Sequence, residues 1–240
     1  MYGWRSRIGI LLPTNNTVLE PEFWKMAPDG VTFHTTRMIS SKTGHGSVEG
    51  LENMTQNNVD RGIEELAITG VDAYVYACLS TSLAVQKWQE KFEEKIARLG
   101  IKKPALSAFT AMVRALHHFR ARQVSVLCPY GPELTNKVKN AFDAQNIRVE
   151  KVESLNVTGL HAVCNVPLSE IYKAARRVDT SGSDALCILA TDLPTLPLVA
   201  ILERDLDKPV VTTNLAIYWG ILNMVGVHQS MNGTARLFDQ

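Results

Sequence analysis

Apolar residues follow two rhythms along this chain, and the two alternate. Short runs rich in β-branched and aromatic residues fit strands buried on both faces. They are Arg7–Pro13, Val31–Met38, Val71–Ala77, Lys103–Ser107, Gln123–Pro129, Ile147–Val152, Ser183–Ala190 and Lys208–Thr212. Between them lie segments with helical spacing, such as Leu51, Met54, Val59, Ile63 and Leu66 in 51–69. Further helices are expected at 83–99, 110–119, from the 130–133 turn to 144, 168–178 and 214–225. Strands alternating with helices predict an α/β fold with parallel sheets. Residues 40–50 read as a flexible polar loop, with His45 a solvated member; 155–166 reads as an irregular loop and 229–240 as a loose tail.

The pattern repeats. RIGILLPT (7–14) matches QVSVLCPY (123–130), VDAYVYACLST (71–81) matches SDALCILATDL (183–193), and KPALSAFTAMVRAL (103–116) matches KPVVTTNLAIYWGI (208–221). The order is kept and the separations shrink only from 116 to 112 to 105 residues. Repetition of this kind predicts two pseudo-symmetric, doubly wound (Rossmann-like) lobes with a cleft between their strand ends. The lobes are expected to trade their last helices, giving 1–108 plus 213–240 as one and 109–212 as the other. Cys78 of the first half falls on Ala190 of the second.

Composition narrows the classes. The chain has 240 residues, is 45% hydrophobic and 20% charged, and carries a net charge of +1. That gives ample core but no electrostatic footprint for nucleic acid. No run long enough to span a membrane occurs, and the N-terminus has no signal-peptide pattern. The four cysteines, Cys78, Cys128, Cys164 and Cys187, form no CxxC pair. This argues against zinc and disulfides and for reduced thiols in the cytoplasm.

Candidate chemistry sits at strand ends. Cys78 closes a buried strand and is followed by Ser80, Thr81 and Ser82 before a helix. A helix N-terminus there would favour a thiolate and bind anions; alternatively Cys78 is one more small core residue. The turn Thr14–Thr17, with Glu20 and Glu22 beyond it, suits either helix capping or a grip on a carboxylate. His117 and His118, at a helix C-terminus, read as structural.

RIGILLPTNNTVLEPEF, the YACLSTS strand end, the VLCPY turn, ATDLPTL and KPVVTTN together resemble the aspartate/glutamate racemase superfamily, nearest its maleate cis-trans isomerase and arylmalonate decarboxylase branch. The resemblance spans nearly the whole chain. It implies catalysis without cofactor or metal on a small carboxylic acid at the interlobe cleft, and allows a homo-oligomer. It implies that Cys78 attacks an alkene as a thiolate, giving an adduct about whose single bond the substrate rotates. Asn16, in the turn opened by Pro13, would grip a carboxylate and Tyr130 would hydrogen-bond one. Ser80 and Thr191 would lie in carboxylate-holding turns, and Asn214 would begin another.

The chain departs from the pattern at Ala190, where the second catalytic cysteine is expected. Cys187 lies within the strand, pointing elsewhere, and is no substitute. Leu160 stands where the isomerases carry an asparagine, with His161 and Asn165 nearby. Three accounts of Ala190 stay open: a thiol exchanged to trap a ligand, a single-thiol enzyme using Asp192 or water as its acid, or a site reduced to binding. The leading expectation is a maleate-isomerase-like enzyme. The alternatives are an arylmalonate-type decarboxylase or a racemase of the same superfamily, and a non-catalytic carboxylate-binding protein.

Overall fold

Buried strands set the frame. In a computed structural model that describes residues 1–39, 48–159, 161–231 and 233–239, two parallel sheets form. The first contains β1 (Ser6–Pro13), β2 (Val31–Met38), β3 (Ala73–Tyr76) and β4 (Ala105–Ser107), in the order β2-β1-β3-β4. The second contains β5 (Gln123–Cys128), β6 (Arg148–Ser154), β7 (Ala185–Ile188) and β8 (Val210–Thr212), in the order β6-β5-β7-β8. The sequence repeat is therefore a repeat of topology, and even of register. Ile8 pairs with Ala73 as Val124 pairs with Ala185, and Tyr74 with Ala105 as Leu186 with Val210. The central strands are apolar and buried on both faces because helices cover both sides.

Around the first sheet run α1 (Leu19–Met26), α2 (Val48–Thr69), α3 (Leu79–Ala84) and α4 (Trp88–Arg98), followed by α5 (Ala108–His118). Around the second run α6 (Pro132–Asp143), α7 (Leu168–Val178) and α8 (Val199–Leu206), while α9 (Thr213–Met224) follows β8 and packs against α5 and β4. α2 lies close on β1 and β2. A Cβ on Gly62 would stand 3.0 Å from Thr36 and 3.1 Å from Leu11, so any larger residue there would push those side chains aside. Phe109 of α5 stacks edge-on against Phe142 of α6, while Tyr218 of α9 meets Phe23 of α1. Among the described residues no helix is long and apolar enough to cross a membrane.

Three expectations need correction. The helix expected over 83–99 is two helices, broken where Lys87 takes φ 54°. The break lets Trp88 and Phe92 stack on Tyr76, at ring-centroid distances of 4.7 and 5.6 Å, and lets Gln89 bond the backbone of Ala105 and Ser107. Tertiary packing overrides the continuous amphipathic pattern. The tail is not loose: Ala235, Leu237 and Phe238 are buried, and the Arg236 amide donates to Glu203 at 2.8 Å. Finally, α2 begins at Val48, inside the segment expected to be loop. His45 lies outside the described residues.

One buried carboxylate joins the two halves. Glu22 of α1 accepts the amides of Thr195 and Leu196 on Oε1, each at 2.9 Å, and Asn214 Nδ2 on Oε2 at 2.7 Å. Burial raises its pKa, opposed by those three hydrogen bonds. Replacing Glu22 by Ala strands three buried donors, and urea unfolding is expected to show a loss on the order of 3 kcal/mol. An unchanged midpoint would mean the joint does not stabilise the fold.

Candidate active site

The carboxyl ends of β1, β3, β5 and β7 converge on a cavity of about 330 Å³. Pro13, Asn16, Cys78, Ser80, Tyr130, Ala190 and Thr191 all line it. These are residues that the sequence singled out, and they come from both halves. Asn214 does not line it. Its Nδ2 instead donates to Glu22 and, at 3.1 Å, to the carbonyl of Thr191, so it supports the turn from behind.

Cys78 sits at the N-terminal boundary of α3 and is only 4% exposed. Its sulfur lies 3.4 Å from Ser80 Oγ, and Thr81 Oγ1 donates to it at 3.3 Å. The Tyr76 hydroxyl donates in turn to Thr81 at 3.1 Å. The hydroxyl-rich run after the cysteine thus forms a relay of donors ending on sulfur. Yet the thiol pKa is raised. Burial dominates; the Ser80 and Thr81 bonds and the Thr81 amide pull the other way, and the Asp192 charge adds to the rise. The expected helix-end depression of this thiol does not prevail, because α3 is a six-residue helix in a largely apolar wall. Cys78 rests as a thiol.

Asn16 serves both readings of its turn. Its Oδ1 accepts the amides of Val18 and Leu19 at 2.9 and 3.1 Å, capping α1. Its Nδ2 donates to Thr191 Oγ1 at 3.1 Å, and Thr191 donates onward to the Ala77 carbonyl at 3.1 Å. One amide hydrogen of Asn16 is left for the cavity. Tyr130 presents a buried hydroxyl with no partner, and Asn15 Oδ1 is likewise unpartnered. Burial and the nearby Cys128, Asp192 and Cys78 charges hold the Tyr130 phenol protonated, hence a donor.

Ala190 lines the wall at φ 94°, a backbone conformation that favours glycine. Cys187 is fully buried in β7 and its thiol is strongly raised by desolvation. His161 and Asn165 are exposed and outside the lining; Asn165 bonds the His161 carbonyl at 2.8 Å. Leu160 lies outside the described residues. Asn15, which also lines the cavity, belongs to the Thr14–Thr17 turn, whereas Leu51, Met54, Leu134 and Val157 in the lining were not singled out in the sequence. For Leu51 and Met54 no sequence signal separates cavity wall from core, since both belong to the apolar stripe of α2.

The profile of the arylmalonate decarboxylase family matches residues 8–238. The chain belongs to this family. A curated relative, the maleate isomerase of Nocardia farcinica, is 28% identical over 98% of this chain and 96% of its own. The arylmalonate decarboxylase of Bordetella bronchiseptica is 24% identical over 95% and 97%. A solved structure of a Nocardia farcinica maleate cis-trans isomerase mutant, with a covalently bound succinylcysteine intermediate, superposes with a TM-score of 0.89. It is 28% identical and covers 97% of this chain and 98% of that one.

Within this cavity, Asp192 is an electrostatic liability to folding. Desolvation raises its carboxyl from 3.8 to about 6, opposed only by its own backbone amide. A raised folded-state pKa favours the fold below the unfolded value, and that contribution is lost as pH rises through about 6. Asp192→Asn is therefore expected to stabilise the protein by on the order of 2 kcal/mol near pH 8, and by almost nothing near pH 4. Urea unfolding at both pH values checks this; an equal effect at both would contradict it.

Proposed function

We propose that this protein is a cofactor-independent cis–trans isomerase of small unsaturated dicarboxylic acids, of the maleate-isomerase kind, acting through Cys78. The observation that carries the reading is the placing of Cys78. It lines a cavity built from both halves, its sulfur accepts the Thr81 hydroxyl, and Tyr130, whose hydroxyl is unpartnered, lines the same cavity. The match to maleate isomerases over nearly the full chain supports it. Support for the lobes being 1–108 plus 213–240 and 109–212 comes from α5 on α6 and α9 on α1. Four free thiols suit the reducing cytoplasm.

The chemistry follows from the geometry. A Cys78 thiolate adds to one alkene carbon of maleate, and the π pair moves to the neighbouring carbon and into its carboxylate. The former double bond becomes single and rotates. Reversal expels the thiolate and leaves the trans diacid. Tyr130, the free Asn16 amide hydrogen, Ser80 and the turn that carries Thr191 hold the carboxylates, and Asn214 positions that turn. Arylmalonate-type decarboxylation is the weaker reading, because the resemblance puts its cysteine at position 190, where alanine stands.

Incubation with maleate, followed by proton NMR, is expected to show fumarate. Cys78→Ser should lower the rate by about a thousandfold or more. No fumarate from the parent chain, or an unchanged rate in Cys78→Ser, would overturn the reading.

A further inference from the structure

A buried thiol that rests protonated needs a base before it can attack, and the adduct needs an acid. Ser80 and Thr81 stabilise a thiolate but are too weakly basic to generate one. The family pattern would supply a second thiol at position 190; here there is a methyl group. Two residues on, Asp192 lines the same cavity as Cys78. Among the described residues its carboxylate has no ion pair and accepts only its own backbone amide. It is close enough for its charge to bear on both Cys78 and Tyr130. Glu22, a structural carboxylate, gathers three donors from other elements; Asp192 gathers none beyond its own amide.

We propose that Asp192 is the proton-transfer residue of this single-thiol site, taking the Cys78 proton and delivering it to the substrate carbon beside the new C–S bond. This rests on the reading that Cys78 attacks the substrate. In the forward step the S–H bond and the alkene π bond break, and the C–S and C–H bonds form. Nothing is oxidised or reduced. After rotation the carboxylate removes the same kind of proton, the thiolate leaves, and the proton returns to sulfur.

Electrostatics time the two roles. In the empty site Asp192 titrates near pH 6, so at neutral pH it is mostly a base. A bound carboxylate, in a cavity whose described lining has no Lys, Arg or His, strengthens the hold of Asp192 on the proton it takes from Cys78, so that after the transfer it is poised as the acid. The titratable groups facing it there are Cys78, Tyr130 and Glu133.

The test needs no substrate. The full chain is alkylated with iodoacetamide, a neutral electrophile, from acid to alkaline pH, and labelling is read on the Cys78 peptide by mass. In the parent the rate should rise through about pH 6. In Asp192→Asn that rise should vanish and labelling at neutral pH fall by about tenfold or more. A carboxylate that merely repels the thiolate predicts the reverse, so equal or faster labelling in Asp192→Asn would overturn the proposal. Turnover of maleate, measured alongside, reports separately on the isomerase reading. There Asp192→Asn should lower kcat by about 10²–10⁴ with little change in KM, and adding Ala190→Cys should recover much of the loss. An unchanged kcat in Asp192→Asn, with the parent active, would also overturn the proposal.

Discussion

Everything at the strand ends depends on one hydrogen-bonded seam between the halves. Thr191, after β7, donates to Ala77, after β3, and accepts from Asn16, after β1. Asn214 holds the Thr191 carbonyl and is itself held by Glu22, which gathers two further amides from the second half. Buried polar groups of this kind are expensive when their bonds are broken, so once formed the seam tolerates little relative motion, even though Asn214 Oδ1 has no partner in it. It places Cys78 and Ala190, equivalent positions of the repeat, on the walls of one cavity.

The electrostatics belong to the same region. Burial at the strand ends makes desolvation the leading influence on Cys78, Tyr130, Asp192 and Glu22 alike. Thiol and phenol stay neutral, and the two carboxylates are pushed upward. Glu22 is compensated by amides; Asp192 is not. An uncompensated carboxylate facing a neutral thiol makes a proton-transfer pair, whereas a thiol lowered by a helix end would need no base.

Much of this was legible in the residues. The repeat could be read because both halves carry the same strand-end chemistry in order, and its offsets carry directly into the matching registers of β1–β3 with β5–β7 and β3–β4 with β7–β8. Cys78, Asn16, Tyr130 and Thr191 could be read because each occupies a strand-to-helix turn. Asn214 was placed in the right turn but not in the right layer: sequence shows that an amide follows β8, not which carboxylate it faces. The break at Lys87 was hidden because the amphipathic period runs on through it, and only the stacking of Trp88 on Tyr76 decides against one helix. The buried tail was hidden because Leu237 and Phe238 are two apolar residues in a polar stretch, too few to signal packing. The raised Cys78 thiol depends on the balance between burial and donors, and that balance exists only in three dimensions.

The central claim is that Cys78 becomes a covalent nucleophile toward an unsaturated diacid in this cavity. The most direct measurement is the mass of the chain after acid quenching of a reaction with maleate, followed by peptide mapping. A gain of one maleate, located on the Cys78 peptide and absent from Cys78→Ser, is the expected result. Turnover of maleate with no adduct at Cys78 in either the parent or Asp192→Asn, or an adduct only at the partly exposed Cys164, would contradict it.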